Sequence, residues 1–456
     1  MSGGTQLGGR LRIAVNAQIV PGTGAGGIET VLRALTALAR LEDGEEEYVF
    51  VAPAEDPGWL RNLLPPGATV VRGPAPHDAW EVDRLESFKR ALGPLRPAAR
   101  NFRRLLSGHA AGATAAVAEP AAAPAPDNFY QRLGCHVVHF PFQHFEACEL
   151  PSVYNPHDLQ HLHHPEFFTP DEIARRERLY PAACRAAHTV VAASEFVKRD
   201  IVGRYGIPAS KVQVIAWAPP PLSESEATAA DAVAPAVREK FGLADRPFAL
   251  YPAMTWEHKN HLRLLEALAL LRGREQLEID FVCTGFKTDF WPRIERRARE
   301  LGLEGRVKFP GMVAREELSA LYRAAQFVFV PTLFEAASAP VFEAWQAGAP
   351  VACSAVTSLP EQASGAALLF NPFSVESVAD AIARMATDAA LRGVLRQLGT
   401  RRLADFSIER TAKAYRAVYR RAAGHQLTSE DRQLLGRDWT RPADGADQLH
   451  DRKNHG

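Results

Sequence analysis

No two cysteines of this chain stand close enough in sequence to suggest a clamp; the five are at 135, 148, 184, 283 and 353. Such scatter argues against a disulfide framework and a thiolate zinc site, and it fits a reducing compartment. Net charge is missing too, because 53 basic side chains face 53 acidic ones. Nothing global therefore draws the protein toward nucleic acid or an anionic membrane. No apolar run approaches the roughly 20 residues that cross a bilayer. The opening Met1-Ser2-Gly3-Gly4-Thr5-Gln6 has neither the basic nor the apolar region of a secretion signal. These absences predict a protein of the cytoplasm, soluble or resting peripherally on the inner face of a membrane.

What is present is a chain of 456 residues, 46% hydrophobic and 23% charged, long enough for two ordinary domains. Residues 12–17 read as a buried strand, followed by a Gly-rich turn. From Ile28 the apolar Val31, Leu32, Leu35 and Leu38 keep a helical period. Strand-like and helix-like segments alternate to about 218, as in a doubly wound α/β sheet. The small, polar stretch 221–236 is the expected linker. The alternation then restarts, with apolar runs at 248–252, 279–283, 307–309, 327–330, 351–353 and 367–370 separated by helical segments. That is the pattern of a parallel sheet covered on both faces. The expected organisation is an N-terminal Rossmann-like domain over 1–220 and a C-terminal one over 237–424. A helix near 408–421 closes the second, and 425–456 forms a polar, mobile tail.

One insert interrupts the first domain at about 80–126. Between Arg84 and Arg104 there are seven basic residues and one acid, Glu86, interleaved with Leu85, Phe88, Leu92, Leu95 and Phe102, and an Ala/Pro-rich stretch follows. A solvated helical insert is one reading. A basic amphipathic element that meets a membrane surface or an anionic, lipid-linked acceptor is the other.

The segment with the most chemistry is Phe334-Glu335-Ala336-Ala337-Ser338-Ala339-Pro340-Val341-Phe342-Glu343. It follows an apolar strand and opens a helix, with Ser338 as the expected N-cap and Pro340 in the first turn. A helix N-terminus at the carboxyl end of a strand is where an open α/β sheet binds anions, through free N–H groups and the helix dipole. A carboxylate placed there accepts hydrogen bonds from a diol; alternatively, Glu343 merely stabilises the positive helix end. The segment resembles the paired-glutamate motif of the family-four glycosyltransferases, retaining enzymes of the GT-B fold, in which two Rossmann-like domains face each other across a cleft. Its flanks resemble the family as well: Arg306–Gly311 and Glu317–Gln326 upstream, Gly348–Val351 and Ser358–Glu361 downstream.

The resemblance implies that Glu343 holds the ribose of a nucleotide-diphosphate sugar and Glu335 the transferring sugar. The backbone around Ser338, Ala339 and Pro340 would hold the diphosphate. Ala336–Ala339 stands where the family usually has Gly-Phe-Gly-Leu; losing two glycines narrows the permitted backbone angles, which bears on the donor sugar more than on the reaction. A second segment, Ala253–His261, resembles the family's phosphate-neutralising loop. Lys259 matches its lysine, whereas Met254 stands at its arginine, with Arg263 and His258 as possible substitutes. The tract around Trp256 resembles bacterial mannosyl- and rhamnosyl-type members.

In the first half, Gly26 and Gly27 resemble the glycines that let backbone approach the diphosphate, and His157 resembles a cleft-facing histidine that contacts the donor sugar. Ser194-Glu195-Phe196 reads as architecture, Ser194 capping a helix. Seven of the fifteen histidines fall in 135–164, but without recurring ligand spacing, so no metal site is expected. By resemblance no other cofactor is needed either. The partners implied are a nucleotide sugar and a saccharide or lipid-linked saccharide acceptor. The implied mechanism is transfer with retention, the leaving diphosphate deprotonating the incoming hydroxyl. Two other readings stay open. Gly22, Gly24 and Gly27 satisfy the dinucleotide fingerprint of an NAD(P)-dependent enzyme, with Glu55 or Asp56 as the ribose acid, and a catalytically silent nucleotide-sugar binder would carry the same loops.

Overall fold

A computed structural model describes residues 10–19, 26–53, 58–74, 128–219, 228, 232, 235–243, 246–274, 277 and 279–441. The 80–126 insert with its Arg84–Arg104 element, Gly22, Gly24, Glu55, Asp56, most of the 221–236 linker and residues 442–456 lie outside the described residues.

Two parallel sheets organise the chain. The first takes β1 (Arg12–Asn16), β2 (Glu47–Ala52), β3 (Thr69–Arg72), β4 (Val137–Phe140), β5 (Ser152–Tyr154), β6 (Thr189–Ala192) and β7 (Val212–Val214) in the order β3-β2-β1-β4-β5-β6-β7. The second takes β8 (Phe248–Pro252), β9 (Asp280–Thr284), β10 (Val307–Gly311), β11 (Phe327–Val330), β12 (Val351–Ser354) and β13 (Leu368–Phe370) in the order β10-β9-β8-β11-β12-β13. Every pairing is parallel; Val328, for example, lies between Leu250 and Val351. The central strands β8 and β11 are continuous apolar runs because both sheet faces are covered, and Phe248, Ala249, Leu250, Phe327, Val328 and Phe329 are fully buried. In each sheet the order reverses beside the first strand, the doubly wound arrangement that opens a crevice at the carboxyl ends. The expected α/β class with two Rossmann-like halves is what the chain adopts.

The helix Ile408–Ala422 departs from expectation. It follows the second sheet in sequence but packs against Gly26–Leu38 of the first half. The Tyr419 hydroxyl donates to His139 Nδ1 at 2.7 Å, His139 Nε2 donates to Asn155 Oδ1 at 2.7 Å, and Asn155 Nδ2 donates to the Tyr415 hydroxyl at 2.9 Å. Burial depresses the His139 pKa to about 3, so the ring stays neutral. Arg416 reaches Asp43 at 2.6 Å, and Arg420 reaches Glu46 at 2.6 Å and Asp431 at 2.9 Å. An apolar helical stripe does not say which sheet it covers. Here the choice follows from tyrosines and arginines whose partners lie on the first half.

The expected mobile tail is also ordered in its first part. Thr428 and Asp431 form a reciprocal capping box for Ser429–Leu435, and Trp439 is buried, its carbonyl accepting from Arg402 Nη2 at 2.8 Å. Among the described residues no helix is long and apolar enough to cross a membrane.

Arg420 is the sole described cation bonded to both Glu46 and Asp431, whose side chains are 7% and 1% exposed. Arg420→Ala leaves both carboxylates buried without it and should destabilise the protein by about 3–5 kcal/mol. The measurement is the melting temperature beside that of Arg420→Lys, which restores the charge without the fork; a wild-type value for the alanine variant would contradict the assignment.

Candidate functional site

Strands β8 and β11 are neighbours where the second sheet's order reverses, and the loops leaving their carboxyl ends carry Lys259 and Glu335. Lys259 Nζ lies 2.5 Å from Glu335 Oε1, with the side chains 20% and 13% exposed. Several features hold these loops together. Asn260, in the left-handed region at φ 63°, donates from Nδ2 to Pro331 O at 2.9 Å and to Pro372 O at 3.0 Å. The Leu333 N–H donates to His258 O at 2.8 Å, and the Thr332 hydroxyl donates to the same oxygen at 3.3 Å. A Cβ on Gly285 would stand 2.5 Å from Ala253 O, so only glycine lets the loop after β9 close against the loop after β8.

The Glu335–Ala339 loop is held from one side by the segment after β12. Thr357 and Ser358 donate their hydroxyls to Glu335 O at 2.7 and 2.8 Å, and the Glu335 N–H donates to Thr357 Oγ1 at 3.1 Å. Gln362 clasps both polar groups of the Ser338 backbone, at 2.8 Å each. Ser338 occupies the N-cap position of Ala339–Gln346, but its hydroxyl makes no cap hydrogen bond. Of the two donors a capping oxygen takes, Pro340 at the second helical position lacks one, and the other, the Val341 N–H, is not used by the hydroxyl. The hydroxyl is left buried and without a partner. Ala339 and Pro340 form the first turn.

Glu343 lies half-buried on that helix. The Tyr322 hydroxyl donates to its Oε2 at 2.5 Å, from the helix Arg315–Ala324 that packs alongside. Burial raises the Glu343 carboxyl above its ordinary range, against the Tyr322 hydrogen bond and the charge of Arg315, which lower it.

In the first half, Gly26 and Gly27 open the helix that follows β1. His157 sits after β5 at φ 67°, its Nε2 donating to Pro141 O at 2.8 Å and its ring edge-on to Trp217 at 5.9 Å. Burial lowers its pKa, so the imidazole is neutral at pH 7 with Nδ1 an acceptor. Among the described residues four non-glycine positions have positive φ. Three of them, His157, Asn260 and Thr357, belong to these loops; such strain collects where function over-determines the backbone.

Lys259 and Glu335 are thus brought into contact, with Glu343 on the helix that the Glu335 loop leads into, while Gly26 and Gly27 follow β1 and His157 follows β5 in the other half. Arg263 is turned to Asn260 Oδ1 and Pro372 O, at 2.9 and 3.1 Å, rather than toward Lys259. Four of the five histidines in 144–164 take separate carboxylates, His144 with Glu146, His161 with Glu177, His163 with Asp200 and His164 with Glu166, while His157 takes a backbone carbonyl. Sequence reading missed Thr357 and Gln362, because ordinary polar residues carry no signal of the backbone they will hold. The halves also touch. Phe334, 3% exposed, packs on His163 at 5.4 Å and Phe196 at 6.0 Å, and Phe167 lies 6.1 Å from His258.

Comparison with known proteins agrees with this architecture. Residues 25–217 match the family described as Glycosyltransferase Family 4, and residues 246–388 match Glycosyl transferases group 1. The O-antigen chain mannosyltransferase B of Escherichia coli is 28% identical over 270 residues, 58% of this chain and 69% of that one. The D-inositol 3-phosphate glycosyltransferase of Salinispora arenicola is 27% identical over 60% of this chain and 64% of its own length. Anabaena HepE in complex with UDP and glucose superposes with a TM-score of 0.61 at 15% identity, covering 90% of this chain and 99% of that one.

Asn260 predicts its own test. Asn260→Ala removes three hydrogen bonds and leaves a Cβ residue at positive φ, so stability should fall by about 2–4 kcal/mol. Asn260→Gly relieves the backbone alone and should recover only part of that in thermal unfolding; full recovery would show that the side-chain bonds contribute nothing.

Proposed function

This chain belongs to the family-4, group 1 glycosyltransferases, and from that premise we propose that it transfers a hexose, mannose-like, from a nucleotide-diphosphate sugar to a saccharide or lipid-linked saccharide, with retention. The observation that carries the reading is the Lys259–Glu335 pair beside the N-terminus of Ala339–Gln346. A cation and a helix end suit a diphosphate, and a carboxylate suits sugar hydroxyls. The unpartnered Ser338 hydroxyl supplies a further group for a phosphate oxygen. The mannose preference is supported by the Trp256 tract and by the name of the Escherichia coli relative. The NAD(P) alternative falls with the family match.

In this reading Lys259 and the helix end stabilise charge as it builds on the leaving diphosphate. Glu335 orients the transferring sugar, Glu343 accepts from the ribose hydroxyls, and Tyr322 holds Glu343 in place. Neutral His157 offers Nδ1 to a sugar hydroxyl, while Gly26 and Gly27 let the first half's backbone approach the diphosphate. The chain's task is positioning and electrostatics, the diphosphate taking the acceptor's proton.

Three measurements test this. A thermal-shift panel of UDP, GDP, ADP and NAD should raise the melting temperature with a nucleoside diphosphate and not with NAD; stabilisation by NAD alone would overturn the reading. Lys259→Ala and Glu335→Ala should each lower turnover by on the order of 10²–10³, and near-wild-type rates in both folded variants would reject the roles. Donor binding without any transfer would identify a silent binder.

The Glu343 pKa sets a pH dependence. Because it is raised, the carboxylate protonates at a higher pH than an ordinary glutamate as the solution is acidified, which removes its charge and weakens it as an acceptor. Nucleotide affinity should therefore weaken in mildly acidic buffer, and Glu343→Gln should flatten that dependence in calorimetric titrations.

A further inference from the structure

The N-terminus of the helix Glu195–Tyr205, in the first half, is capped from two sources. Ser194 Oγ accepts the Val197 N–H at 3.3 Å, within the same half. The Glu195 N–H instead donates to Glu361 Oε2 at 2.9 Å, and the Phe196 N–H is directed to the same carboxylate. Glu361 belongs to the short helix Leu359–Ala363 after β12 in the other half. Its Oε1 also accepts from Arg199 Nη2 at 2.9 Å; the Glu361 side chain is 16% exposed and that of Arg199 66%. An unpaired helix end costs its orphan N–H groups and its positive field, and one carboxylate answers both.

Glu361 is rigidly mounted. Arg402, buried and paired with Asp405 at 2.8 Å, donates to the Glu361 and Gln362 carbonyls from behind, each at 3.0 Å. The same strip grips the loop of the candidate site through Thr357, Ser358 and Gln362. Next to it Ala336 is buried among the first half's core residues and Phe334 among its aromatic rings. Apolar contacts of that kind bring the halves together without fixing a direction; a carboxylate on two N–H groups and a guanidinium does fix one.

We propose that Glu361 is a positioning residue for sugar transfer. It seats the Glu195–Tyr205 helix of the first half on the strip that shapes the Glu335–Ser338 loop, so that the register of the two halves and the form of that loop are set together. The proposal rests on the glycosyltransferase reading for its consequence in turnover and on geometry alone for its consequence in shape. A misplacement of about 1 Å between reacting groups can cost about 10²-fold in rate, and this tie sits where such an error would arise.

The test compares Glu361→Ala, Glu361→Gln, Arg199→Ala and the reversed pair Arg199→Glu with Glu361→Arg. Small-angle scattering reads the seating without substrate. Glu361→Ala should show the halves set further apart than in wild type; an unchanged profile overturns the seating whatever the activity. With the nucleoside diphosphate that stabilises wild type, Glu361→Ala should lower kcat about tenfold or more while Kd changes less than about threefold. Parallel losses in kcat and Kd would place the effect within the donor loop and overturn the coupling. Glu361→Gln, which keeps one acceptor oxygen, should lie between. Arg199→Ala removes only an exposed partner, so a folded protein with a small loss of kcat is expected. The reversed pair keeps the ion pair but puts a cation at the helix end, so it should remain impaired; wild-type kcat there would show that the ion pair, not the helix end, matters.

Discussion

The site depends on one constraint of topology: β8 and β11 lie side by side although their crossovers leave in opposite directions. A parallel sheet needs a helix between successive strands, and each helix must pack on one face or the other. Where the faces switch, no helix fills the gap above the carboxyl ends, and the loops after β8 and β11 converge on it. Lys259 and Glu335 arrive from those loops, 76 positions apart in the chain yet 2.5 Å apart in space. Each alone would be a partly buried charge; together they neutralise one another while staying within reach of a ligand.

Around that pair the chain uses side chains where loops of this kind rely on glycine. Ala336, Ala337, Ser338 and Ala339 have less conformational freedom, and the backbone polar groups of Glu335 and Ser338 are satisfied by Thr357, Ser358 and Gln362. Thr357 takes left-handed backbone to do so, as does Asn260 where it bonds the Pro331 and Pro372 carbonyls. The result is a loop whose shape is imposed from outside and whose buried, unpartnered side-chain group is the Ser338 hydroxyl at the helix start. The relation between the halves is imposed in the same way. Ile408–Ala422 crosses from the second half and inserts two tyrosines and two arginines among His139, Asn155, Asp43 and Glu46. Phe334 enters the aromatic cluster of the first half directly beside Glu335.

Much of this was legible in the amino-acid order. Phe248–Pro252 and Phe327–Val330 were readable residue for residue, because strands covered on both faces appear as unbroken apolar runs ended by polar or small residues. Lys259, Glu335 and Glu343 were recognisable as chemistry at strand ends and a helix start. Ala389–Leu403 was not, since its apolar positions are broken by Arg392, Arg396, Arg401 and Arg402. Ser338 was legible as a cap by position but not as a cap without a bond.

Local order therefore determined the strands, most helices, the two-fold repetition of the α/β pattern and the types of residue at the crevice, since periodicity and capping act over a few neighbours. Tertiary structure alone decided which half receives Ile408–Ala422, that residues 425–441 fold back, that Tyr322 holds Glu343, and that Glu361 caps a helix from the other half. Those outcomes rest on buried polar groups meeting partners that are far away in the chain, and no local pattern records which distant donor a given carboxylate will find.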